Sequence, residues 1–78
     1  INQAIAIRVR GLLKEKKMSQ YKLEQETGLY HSTMNAILNN RVKASNFKSI
    51  ALIVKALDLS LTDFFDHPVF SFDNLEIE

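Results

Sequence analysis

Seventy-eight residues without a cysteine make one small domain with no disulfide framework and no Cys-based metal site. No apolar run approaches the roughly 18 residues of a membrane span, and no signal-peptide layout is present. Net charge is only +1, but the ten Lys and Arg all lie in residues 1–57 against three acids, a balance of +7, while residues 58–78 hold six acids and no cation. That division implies either a basic body that meets a polyanion, with an acidic tail held away from it, or simply two solvated faces. His31 and His67 lie far apart with no ligand pattern around them, so no metal and no cofactor are expected. Two glycines and one proline argue against an all-β chain rich in tight turns. The chain opens on Ile1 rather than Met, so residues preceding it are expected in the full protein.

In chain order, the first helix is expected over residues 2–16, where Ile5, Val9 and Leu12 repeat at i, i+4 and i+7 and Leu13 widens the stripe. Its polar end, "KEKK", puts cations where they favour the helix dipole. Ser19 reads as the N-cap of a short second helix over Gln20 to Thr27, anchored by Leu23. Gly28 stops it in the left-handed conformation, and Leu29 is expected to turn inward. A third helix follows from His31 to Asn39. Met34, Ile37 and Leu38 form its core face, and Asn39-Asn40 its stop. After the polar link "RVKAS", Asn46 caps a fourth helix, Phe47 to Leu57, with Phe47, Ile50, Val54 and Leu57 as its apolar stripe. Ser60 or Thr62 caps a short fifth helix, Phe64 and Phe65 close the core, and His67-Pro68 ends it. The tail "VFSFDNLEIE" keeps no helical spacing, and part of it is expected as a strand or an extended arm.

From about Ile5 to Phe65 this pattern resembles the Cro/phage-repressor type of helix-turn-helix domain, also called the xenobiotic-response-element family. The residues that carry the resemblance are "MSQYKLEQETG", Leu29, "STMNAIL" and the later "ALIVKALDLSLTDFF". It implies an all-α, five-helix, lambda-repressor-like fold over residues 1–66 with the motif formed by helices 2 and 3, followed by a short extended tail, 67–78. Three positions depart from the family. Glu24 stands where alanine is usual, between the two motif helices, so it must reach the edge or hold the helices apart. Leu13 and Leu38 take the places of a common Arg–Glu pair, replacing an ion pair with an apolar contact. Asn40 replaces the glycine usual after the third helix.

The resemblance makes the third helix the recognition helix, entering the major groove of double-stranded DNA. His31, Ser32, Asn35 and Ala36 are then the base-contacting residues. Asn35 suits adenine N6 and N7, Ser32 either donates or accepts, and Ala36 or the Thr33 methyl meets a thymine methyl. His31 can donate to guanine or to a phosphate, a contact that would vary with pH. Tyr30 and Thr33 at the helix entry, Ser19 and Gln20 at the start of the second helix, and Asn39, Arg41 and Lys43 after the third are expected on the phosphate backbone. Lys22 and Lys48 are weaker backbone candidates. The plain alternative makes Ser32 and Thr33 first-turn hydroxyls and His31 a solvated side chain.

An enzyme is not expected, since no nucleophile, base and orienter converge and no Gly-rich phosphate loop is present. The expected function is a sequence-specific transcriptional regulator, most simply a repressor that binds a palindromic operator as a homodimer. Its expected place is the cytoplasm, at the nucleoid. Phe65, Val69, Phe70 and Phe72 either pack across the dimer axis or fold back on their own core. The acidic, apolar tail also keeps two rivals open: an antitoxin that binds a toxin protein and autoregulates its promoter, or a protein-interaction module that keeps only the fold.

Overall fold

The computed structural model describes residues 1–39 and 46–75. Within them the chain forms α1 (Asn2–Lys16), α2 (Gln20–Thr27), α3 (His31–Leu38), α4 (Phe47–Ala56) and α5 (Leu61–Phe65), then a 3-10 turn over Pro68–Phe70. No strand occurs among the described residues, and no helix there is long and apolar enough to cross a membrane. The "RVKAS" link and the Asn40 stop lie outside the described residues.

The apolar periodicities become one core. Ile5, Val9, Leu12 and Leu13 of α1 meet Met34, Ile37 and Leu38 of α3, with Leu23, Ile50, Ile53, Val54, Leu57 and Phe64 filling the rest. α1 packs on α3, α2 on both α3 and α4, and α4 on α5. Leu13 and Leu38 are both buried, so the position of the family's ion pair is apolar on both sides and strands no charge.

Each helix end has a local cause. Lys17 takes the left-handed conformation (φ 54°), letting Met18 N–H reach back to Leu13 O at 2.9 Å and close α1. The Ser19 hydroxyl oxygen accepts from Lys22 N–H at 3.0 Å and starts α2. Gly28 (φ 73°) ends α2, its N–H donating to Glu24 O at 2.9 Å. A Cβ there would meet nothing within 4 Å, so backbone conformation rather than crowding asks for glycine. Thr27 secures the turn, its hydroxyl donating to Leu23 O at 2.8 Å and accepting from Leu29 N–H at 3.2 Å. Leu29 tucks against the core. Asn46 caps α4 through Lys48 N–H at 2.8 Å, and Ser60, not Thr62, caps α5 through Asp63 N–H at 3.0 Å.

Three sequence expectations change, the first being that Phe65, expected to close the core with Phe64, is 36% exposed and only flanks Phe64 and Phe70. Phe47, placed on the core stripe of α4, is 62% exposed. As the first helical residue its side chain leans back past the helix start, and the stripe that meets the core begins at Ile50. The tail is neither strand nor extended arm as far as Leu75. Pro68–Phe70 folds back, and the Phe70 ring packs on Phe65 (centroids 4.9 Å) and Phe64 (5.8 Å). His67 Nδ1 accepts from Val69 N–H at 3.1 Å, and Asn74 Nδ2 donates to Pro68 O at 2.8 Å. Phe72 is left 82% exposed.

Candidate nucleic-acid interface

The two motif helices are joined by only Gly28, Leu29 and Tyr30. Because α3 spends Met34, Ile37 and Leu38 on the core, helical geometry turns His31, Ser32, Asn35, Ala36 and Asn39 to the opposite side. His31, Ser32 and Asn39 are exposed there, while Asn35 and Ala36 are half-buried. Thr33 flanks this face, also half-buried. Tyr30 is the α3 N-cap; its ring is 81% exposed and makes no capping bond. The geometry thus brings the expected base-contacting residues onto one outward face of a short helix.

Ser19 and Gln20 stand at the start of α2. The Ser19 oxygen is engaged as a cap, leaving its hydroxyl hydrogen to donate elsewhere. Lys22 pairs with Glu26 at 3.0 Å along α2, both side chains remaining largely exposed. Arg41 and Lys43, expected on the phosphate backbone, lie outside the described residues.

Side-chain bonds tie these residues together more closely than spacing predicts. Asn39 Nδ2 donates to both the Oδ1 and the backbone O of Asn35, each at 2.8 Å, so its amide serves its neighbour one turn back. Glu24 neither snorkels away nor stands alone. Its carboxylate lies in the seam between α2 and α3, where the single oxygen Oε2 accepts from Gln20 Nε2 at 3.0 Å and meets His31 Nδ1 at 2.8 Å. The Glu24 side chain is 10% exposed, against 75% for His31. Burial alone would raise the Glu24 pKa. The bonds from Gln20 and His31, with the His31 charge, outweigh that and hold the carboxyl below its ordinary value.

Glu24 is the residue that sequence reasoning undervalued. Gln20 and Glu24 stand at i and i+4, a pairing visible on any helix. The bond to His31 crosses the Gly28 turn, and no periodicity reports it. Tyr21, 69% exposed beside Gln20, and the exposed Phe47 are large aromatic groups at the starts of α2 and α4 that the sequence assigned to no interface.

A family model described as the Cro/C1-type HTH DNA-binding domain matches residues 8–69. No curated protein and no solved structure matches the chain.

Proposed function

Because the chain belongs to the Cro/C1-type helix-turn-helix DNA-binding family, a DNA-binding transcriptional regulator, we propose that it acts as a repressor reading a palindromic operator as a homodimer. The observation that carries this reading is the outward face of α3, where His31, Ser32, Asn35 and Ala36 stand together beside the capped start of α2. In this motif the recognition helix lies in the major groove and dimers span half-sites about 34–36 Å apart. Ser19, Gln20, Tyr30 and Thr33 fix the register on phosphates, and Arg41 and Lys43 make the grip salt-dependent. Such a protein works where the chromosome is, in the cytoplasm at the nucleoid.

Selection of bound duplexes from a random DNA pool at two salt concentrations tests the proposal. A near-palindrome with half-sites one turn apart, lost with Asn35→Ala, is the expected result. Weak binding that is equally salt-sensitive for every sequence rejects sequence reading.

A second reading, the autoregulating antitoxin, has one observation in its favour. Phe72 stands 82% exposed on a segment that carries acids and no cation, a combination suited to a protein partner. Loss of partner capture but not of DNA binding in Phe72→Ser would favour it over the simple repressor.

A further inference from the structure

A histidine can meet a base in two opposite ways. Neutral imidazole carries one N–H donor and one bare nitrogen acceptor, and which nitrogen is which depends on what the other one bonds. Guanine offers only acceptors, N7 and O6, on its major-groove edge. Adenine N6 and cytosine N4 offer donors. The tautomer of an interface histidine therefore selects its base.

In this protein the His31 tautomer is constrained from below. Nδ1 stands 2.8 Å from Glu24 Oε2, and an ionised carboxylate can only accept. The proton between them must sit on Nδ1. The remaining nitrogen, Nε2, belongs to the part of a ring that is 75% exposed on the outer face of α3. Gln20 donates to the same Glu24 oxygen at 3.0 Å and helps to hold the carboxylate in the seam.

We propose that Glu24 is a specificity-determining positioning residue. By keeping the proton on Nδ1 it makes neutral His31 an acceptor toward the groove, so that His31 reads the amino group of adenine or cytosine and rejects guanine. The inference rests on the DNA-reading function proposed above. Among the described residues Glu24 is the charged group within ion-pair distance of His31. Lys22 and Glu26 of α2 pair with each other at 3.0 Å, and α3 contributes no other charged side chain. Tyr30 precedes His31 with its ring exposed, and the amides of Asn35 and Asn39 lie beyond it.

His67 supplies an internal standard. Its Nδ1 accepts from Val69 N–H at 3.1 Å, which puts its proton on Nε2. Long-range proton–nitrogen NMR of the free protein, at a pH where the ring nitrogen shifts show both imidazoles neutral, should show the two histidines as opposite tautomers. His31 appearing as Nε2–H, like His67, overturns the proposal. Selection from a random DNA pool at the same pH supplies the second readout. Besides the adenine position that Asn35→Ala removes, the wild type should show one position per half-site where adenine or cytosine exceeds guanine at least about fivefold, and Glu24→Gln should relax that position alone. An amide either donates or accepts, so this variant keeps the shape of the seam and releases the tautomer. A wild-type preference for guanine at that position, or an unchanged preference in Glu24→Gln, also overturns the proposal. Absence of any sequence preference in the wild type removes the DNA-reading function and this role with it. The NMR result separately decides whether Glu24 sets the tautomer.

Discussion

The Asn39 amide donates to Asn35 Oδ1 at 2.8 Å, one helical turn back along the outward face of α3. The bond settles which end of the Asn35 amide is oxygen, and that oxygen keeps a second lone pair for a base. Asn35→Ala should cost about 1–3 kcal/mol of discrimination at an adenine position. Asn39→Ala should weaken the same adenine preference while leaving adenine preferred. Competition binding with matched and mismatched duplexes measures both. If Asn39→Ala instead lowers affinity equally for every sequence, Asn39 is a phosphate contact, as the sequence pattern suggests.

Arg8 joins the two ends of the fold. Its Nε donates to Phe64 O at 2.9 Å, its guanidinium to Asp63 O at 3.2 Å, and the group lies 5.8 Å from the Phe64 ring centroid. Hydrogen bonds from a charged donor contribute about 1.5–3 kcal/mol, so Arg8→Ala should destabilise the domain by roughly that amount. Arg8→Lys should recover little, because lysine lacks the fork that reaches two carbonyls. Urea denaturation of the three proteins decides the matter. A full recovery with lysine would show that charge alone matters.

Left-handed backbone makes a pair of opposite predictions. Gly28→Ala should cost about 1–2 kcal/mol from φ alone, since the added methyl meets no atom. Asp58 takes φ 61° just after α4, where its negative charge also faces the negative end of the helix dipole. Asp58→Gly should therefore stabilise the fold by up to about 1 kcal/mol. Thermal unfolding reads both signs. A destabilising Asp58→Gly would mean that aspartate's smaller unfolded-state entropy outweighs its strain.

The exposure of Phe47 has a simple stability test. Phe47→Ala should change stability by well under about 1 kcal/mol, as surface changes do. Ile50→Ala, three residues on and 2% exposed, should cost about 2–5 kcal/mol. Equal losses in the two variants would return Phe47 to the core.

Acid should act through Glu24. Its folded pKa is depressed, so the stability it contributes is present above the ordinary glutamate value of about 4.3 and lost as pH falls through the lower folded value. Stability curves of wild type and Glu24→Gln should run apart above that window and converge below it. Parallel curves throughout would mean that the seam carboxylate is not coupled to folding.

Most of the fold is legible in one dimension because its causes are local. Stripes at Ile5, Val9 and Leu12, at Met34, Ile37 and Leu38, and at Ile50, Val54 and Leu57 name the buried face of each long helix. Ser19, Gly28 and Asn46 name the boundaries of three, since caps and left-handed turns are written in single residues. The outward set on α3 follows by subtraction from its core face. Phe47 escaped because apolar spacing marks a candidate face, not where that face stops meeting a neighbour.

By itself, then, the sequence determined the helices, several of their boundaries and the apolar face that each long helix buries, all set by patterns spanning a few residues. The tertiary structure alone decided how those helices share side chains. It seated Phe70 on Phe64 and Phe65, carried Arg8 to carbonyls more than fifty residues away, and placed Glu24 under His31 across the Gly28 turn. The physical reason is range: periodicity records which side of a helix is buried, whereas a hydrogen bond between helices depends on their separation and rotation. That relation turns Glu24, an oddity in the sequence, into the partner of His31 Nδ1 across the turn.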